Sequence, residues 1–193
     1  MIKTSPKLRI LKVSKQLFFE NGFYHTGINQ IIKEADTAKA SFYDHFPSKD
    51  DLGIQVIRSY GRDILIWFRQ ILRKSKSPKQ FVKIFTLAVR AQIHSNISYY
   101  QGCPVAVFSC QFPIGKQPFS GEFQMIAKNW EIIIERKLVQ WKEEKLITKT
   151  VHPNLTAKRV INIYEGALIN WRMSLDESYI DQMQEQIKDL LLQ

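Results

Sequence analysis

Apolar residues recur three and four positions apart along almost the whole of this chain, and that spacing admits helices and little else. Ile10, Leu11, Val13, Leu17 and Phe18 form one stripe, ending at Asn21-Gly22, a pair suited to stopping a helix. Ile28, Ile31, Ile32 and Ala35 form a second, short stripe, and a third short helix is expected over about 37–44. Ser48 is placed to cap a long helix reaching about Lys74, with Asp50 and Asp51 in its positively polarised first turn. Further helices are expected from Ser77-Pro78 to about Ile97, from Pro104 to about Phe112 and from about Ser120 to Lys145. Two more should run from about Thr156 to Met173 and from Glu177 to Leu192. Only 8 Gly and 7 Pro interrupt 193 residues, and no hairpin turn is evident, so the fold class is all-α.

The formal net charge is +10, which favours polyanionic partners. Residues 1–19 hold Lys3, Lys7, Arg9, Lys12 and Lys15 with no acid, and could lie along a phosphate backbone. A second acid-free segment, 64–121, carries Arg69, Arg73, Lys74, Lys76, Lys79, Lys83, Arg90 and Lys116 and reads as a solvated face. No apolar run is long enough to span a bilayer, and the N terminus lacks the apolar core of a secretory signal, so a cytoplasmic protein with no membrane partner is expected. Cys103 and Cys110 make no disulfide framework. There is no Cys-x-x-Cys, no phosphate-binding glycine loop and no metal-ligand spacing among the four histidines, so neither an enzyme nor a cofactor is expected.

The stretch from Thr26 to Leu52 reads as two short helices joined by a tight turn and followed by a long one, the arrangement that sets a helix into the DNA major groove. Near the start of the second short helix, Lys39 and Ser41 can donate to base edges, with Thr37 beside them, and Ala40 is small enough to approach a thymine methyl. Tyr43, His45, Thr26 and Lys49 can meet phosphate oxygens. Phe42 and Phe46 are expected in the core. Thr37 or Asp36 is expected to cap the reading helix, because Ala38 has no capping side chain.

The ordered pattern Thr-x-x-x-x-Ile-x-x-x-Ala, then a turn, then Lys-Ala-Ser-Phe-Tyr-x-His-Phe-x-Ser-Lys-x-x-Leu resembles the DNA-binding domain of TetR/AcrR transcriptional regulators over about residues 7–55. The resemblance implies an all-helical homodimer with a helix-turn-helix domain, drawn here at 1–50, and a larger regulatory domain at 51–193. It also implies a double-stranded operator from which a small-molecule inducer releases the protein. The chain departs from that pattern in the turn, where Ala35-Asp36-Thr37-Ala38 stands in place of Ala-Gly-Val-Ser.

Gln101-Gly102-Cys103-Pro104 resembles a subgroup of these regulators that opens a regulatory helix with Gly-Cys-Pro or Gly-Cys-Leu, often with Glu at the position of Gln111. Cys103 would sit at that helix's start, as a small buried packing residue or a redox sensor; Cys110 is expected in the core. Control by cysteine oxidation or by a protein partner is the alternative to control by a ligand. By analogy, Phe85, His94, Cys103, Phe108, Phe123 and Trp130 would line a pocket for an apolar or anionic inducer, with Arg90 or His94 pairing an anion. The apolar stripes of the last two helices suit pairing with a second copy, through Ile161, Tyr164, Leu168 and Trp171 and through Met183, Ile187 and Leu190.

Overall fold

The computed structural model describes residues 5–192; Lys3 of the first basic segment lies outside them. The described residues contain nine α-helices and no strand. These are α1 (Pro6–Glu20), α2 (Ile28–Glu34), α3 (Lys39–His45), α4 (Lys49–Lys74), α5 (Pro78–Ile93), α6 (Pro104–Ser109), α7 (Phe119–Glu143), α8 (Pro153–Ser174) and α9 (Ser178–Leu191), with one 3-10 turn at Ser98–Tyr100. The caps explain several boundaries. The Ser48 hydroxyl accepts from Asp51 N–H at 3.0 Å to start α4, and the Ser77 hydroxyl accepts from Gln80 N–H at 3.2 Å to start α5. Gly22 ends α1 in a left-handed conformation, φ 86°, as the Asn-Gly pair foretold.

The helices group into two compact units. The first comprises the chain up to Arg62 together with Ile97–Tyr99 and Pro104–Gln124; the remainder forms the second. The division therefore falls inside α4, between Arg62 and Asp63, rather than at its start.

The core of the first unit is aromatic. The Phe23 ring meets Phe18 at 5.1 Å, Phe112 at 5.1 Å and Phe119 at 5.5 Å, while Phe18 stacks on Phe108 at 5.8 Å. Fully burying one such ring contributes roughly 1.5–3 kcal/mol. Gly53 makes this packing possible, since a Cβ there would fall 2.8 Å from Phe23 and 3.2 Å from Phe119. Lys15 is buried in the same unit, its ammonium over Tyr60 and Tyr99 at 5.1 and 4.8 Å, so it is not laid along a phosphate backbone as the basic run suggested.

The second unit has its own ring cluster. Phe85 lies against Phe68, Phe81 and Tyr164, and Phe68 also meets Trp130. The Tyr164 hydroxyl donates to Gln92 Oε1 at 3.1 Å, and Gln92 Nε2 donates to the Gly102 carbonyl at 2.7 Å, so these buried polar groups are paired. α9 packs on both α5 and α8 and buries Ile180, Met183, Ile187 and Leu191.

That packing corrects the pairing residues read from the sequence. Tyr164, Leu168, Met183 and Ile187 are at most 1% exposed and face their own protomer. Ile161, Trp171 and Leu190 are half-buried. Helical spacing reveals an apolar stripe but not which neighbour covers it, and here the neighbours are the protomer's own helices. Cys110, expected in the core, is exposed; Cys103 is buried, 2% exposed, as a small packing residue should be.

Glu165 stands out in this unit. Its stem is half-buried, and both carboxylate oxygens are shut off from solvent. Burial pushes its pKa from an ordinary 4.5 up to about 7, with the Cys103 thiol acting in the opposite sense. The folded state thus holds this proton more tightly than the unfolded chain. The associated stability is full below about pH 4.5 and is lost as pH rises through about 7, in total on the order of 3 kcal/mol. Denaturant titrations at pH 5 and pH 8 should show the native chain losing stability between them, and Glu165→Gln should flatten that difference. An unchanged difference in the variant would assign the pH dependence to other groups.

Candidate nucleic-acid interface and ligand cavity

The short helices of the first unit owe their mutual placement to the segment between them. Asp36 adopts a left-handed φ of 47°, the conformation for which glycine is freer. Arg9, on α1, spans this turn: its Nε donates to the Ala35 carbonyl at 2.9 Å and its Nη2 to the Asp36 carbonyl at 2.7 Å. The guanidinium therefore caps the C-terminal end of α2 and holds the strained residue, so Arg9 is a positioning residue here rather than the phosphate contact its basic run suggested. The N-cap of α3 is Ala38, with no side-chain hydrogen bond. Thr37 and Asp36 do not take over the cap, and α3 begins two residues later than the sequence suggested.

From this frame α3 projects one side to solvent. Phe42 and Phe46 are buried, as expected, while Lys39, Ala40, Tyr43 and His45 are exposed and Thr37 and Ser41 half-buried. Lys39, Ala40 and Tyr43 fall at helical spacing on a shared outward face with small, hydroxyl-bearing and cationic groups, the inventory that reads base edges and phosphates.

Two expected phosphate contacts are used otherwise. Thr26 is fully buried, and its hydroxyl donates to Gly22 O at 2.8 Å and lies 3.3 Å from Leu17 O, tying the α1–α2 connection from inside. The Lys49 ammonium sits 4.7 Å above the Phe23 ring and 3.3 Å from the Tyr24 carbonyl. Desolvation lowers its pKa, against the raising influence of Asp50. Gln111 was not singled out as a site residue, yet its Oε1 accepts from Phe23 N–H at 2.7 Å and its Nε2 donates to Phe18 O at 3.1 Å. An amide both donates and accepts in this way whereas an ionised Glu only accepts, which gives a physical reason for Gln rather than Glu at this position.

The second unit contains a cavity of about 400 Å³. Ile64, Trp67, Ala88 and Ala91 supply apolar walls, and Asp63, Ser95 and Tyr100 polar ones, with the Tyr100 hydroxyl donating to Asp63 Oδ2 at 3.1 Å. None of the seven residues expected at a pocket lines it. Phe85 and Trp130 are consumed by the ring cluster, Cys103 is buried, and Phe108 and Phe123 belong to the first unit. Arg90 donates to Glu177 at 2.6 Å and to Asp181 at 2.5 Å, and His94 Nε2 lies 3.1 Å from Glu177. Those carboxylates from α9 occupy the groups once assigned to an anionic inducer. The signal for the cavity was present but quiet: two small residues, Ala88 and Ala91, on one side of α5.

Arg9→Gln should remove both carbonyl contacts and destabilise the first unit by about 1–3 kcal/mol, with a matching loss of duplex affinity; Lys12→Gln, at an exposed position of the same helix, should do neither. Unfolding curves and fluorescence anisotropy with a bound duplex measure the two effects. Equal behaviour of the two variants would show that Arg9 does not hold the turn.

The model of bacterial regulatory proteins, tetR family, matches residues 10–56. The transcriptional repressor DhaR of Mycobacterium sp. (strain GP1) is 23% identical over 193 residues, covering 100% of this chain and 95% of that protein. The transcriptional regulator LmrA of Bacillus subtilis (strain 168) is 29% identical over 133 residues, 68% of this chain and 70% of that protein. Among solved structures, the reduced form of Escherichia coli NemR superimposes with a TM-score of 0.85 at 18% identity, covering 96% of this chain and 97% of that one. The matched segment contains the turn, the exposed helix α3 and the capped start of α4, and the whole-chain superposition extends the fold through α9. Residues 10–56 thus match the DNA-binding segment of tetR-family regulatory proteins, and over its length the chain is similar to transcriptional regulators of that kind.

Proposed function

We propose that this protein is a homodimeric repressor, released from a near-palindromic operator by a small molecule. The observation that carries the reading is the outward face of α3, where Lys39, Ala40 and Tyr43 stand clear of a core that holds Phe42 and Phe46. Two such faces related by a twofold axis would meet successive major-groove turns roughly 34–36 Å apart. The cavity beside Trp67 is the proposed inducer site. Its apolar walls suit the apolar half of the expected ligand class, while the carboxylate contacts of Arg90 and His94 argue against those two residues as partners for an anion. The burial of Cys103 favours a bound ligand over oxidation as the controlling event.

Pairing is proposed through the outer faces of α8 and α9. Leu155, Asn162, Gly166, Ile169 and Met173 lie along α8 at spacings of seven, four, three and four, and α9 adds Tyr179, Gln182 and Gln186. Leu155, Ile169 and Met173 are 47, 40 and 73% exposed. A groove between the two helices runs past Gly166, where a Cβ would meet nothing within 4 Å, leaving room for a partner helix to approach.

Selection of bound sequences from random duplex DNA should return a twofold-symmetric site. Lys39→Ala should weaken binding to it by about 1–3 kcal/mol if Lys39 meets a base, or reduce the salt slope by about 1 if it meets a phosphate. Recovery of no preferred sequence would overturn the repressor reading. Ile169→Glu with Met173→Glu should shift the protein to monomer in light scattering and weaken operator binding, with helix content unchanged. A dimer that survives both charges is not held by this face.

A further inference from the structure

We propose that a groove between the C-terminal half of α4 and the middle of α7 binds a small molecule carrying two or more phosphate groups. The groove has a volume of about 420 Å³ and lies wholly within the second unit. Arg69 and Arg73 line it from α4, and Arg136 and Lys137 from α7. Leu72 and Ile133 form its apolar floor. Two of these cations come from the acid-free segment 64–121. That run reads as a solvated face when α4 is considered alone; the fold brings two further cations from α7 against it.

Three other cations of the unit have carboxylate partners. Arg90 is matched by Glu177 and Asp181, Lys128 by Glu131 and Lys188 by Glu185. Among the described residues, no carboxylate pairs with Arg69, Arg73, Arg136 or Lys137; Lys137 instead donates to Gln140 Oε1 at 3.2 Å and lies 5.3 Å from the Trp141 ring centre. Four like charges lining one groove favour a polyvalent anion as its ligand. Three of the four are arginines, whose planar forks take two oxygens of a phosphate at once. Two or more phosphates are needed to engage cations arriving from both helices. The apolar floor can carry the uncharged remainder of such a molecule, and the volume is that of a small-ligand site rather than of a continuous track for a polymer. The site is separate from α3 and from the cavity beside Trp67, so it does not depend on the proposed repressor function.

The test uses the full chain at fixed ionic strength, with pyrophosphate, adenosine diphosphate, adenosine monophosphate and inorganic phosphate added separately while thermal unfolding is followed. Saturable stabilisation is expected from the two diphosphates, with half-saturation at least about tenfold lower than for inorganic phosphate. Pyrophosphate alone acting would mark an inorganic ligand, and stronger action by adenosine diphosphate would mark a nucleotide-like one; both support the site. Arg73→Gln with Arg136→Gln should abolish the diphosphate effect while leaving helix content unchanged. Lys39→Ala should retain it, which separates this site from the DNA-reading helix. If the double variant fails to fold, each single substitution should still raise the half-saturating concentration. The proposal is overturned if diphosphates stabilise no better than inorganic phosphate, or if the double variant responds as the native chain does. It is also overturned if the double variant loses affinity for duplex DNA or oligoglutamate while the native chain binds no diphosphate.

Discussion

The reading head depends on one guanidinium. Arg9 reaches from α1 to the carbonyl of Ala35, the C-cap of α2, and to that of the left-handed Asp36 after it, tying α1 to the turn. Without such a bond, the turn would rest on an Asp in a conformation costly for a residue with a Cβ, followed by a helix whose N-cap is Ala. The interaction therefore supplies from a distance what glycine and serine supply locally in the family's usual turn. It also sets where α3 begins, and so which residues face outward.

Around that point the first unit is arranged as a packed aromatic cluster with hydrogen-bonded straps. Gly53 admits Phe23 against α4, and Gln111 holds the backbone at both Phe18 and Phe23. Thr26 and Tyr60 turn their hydroxyls inward onto the carbonyls of α1. Several polar residues that resemble ligand contacts when taken singly are thus structural. What remains outward on α3 is a short set of side chains with little structural employment, which is where recognition chemistry is free to sit.

The second unit follows the same economy of groups. Its rings pack on one another, Arg90 of α5 pairs with Glu177 and Asp181, and its cavity is walled by Trp67 and Tyr100 together with the small residues Ala88 and Ala91. The reason is geometric. Large rings fill space and remove cavities, so a pocket opens where alanines leave room beside them, as at Ala88 and Ala91.

The helices, most of their ends and the exposure of one side of α3 were legible in the sequence, because periodicity, Ser caps and the Phe42-Tyr43-Asp44-His45-Phe46 run are local properties. The start of α3 was misjudged by two residues, because Arg9 acts across 26 positions. The inward turn of Thr26, the burial of Tyr164, Leu168, Met183 and Ile187 within their own protomer and the removal of Arg90 into an ion-pair network all depend on which helix lies beside which. So does the meeting of four unmatched cations across α4 and α7. A helix's sequence determines that it has an apolar stripe and a polar one; only the tertiary structure decides what each stripe meets, because that requires bringing together residues far apart in the chain.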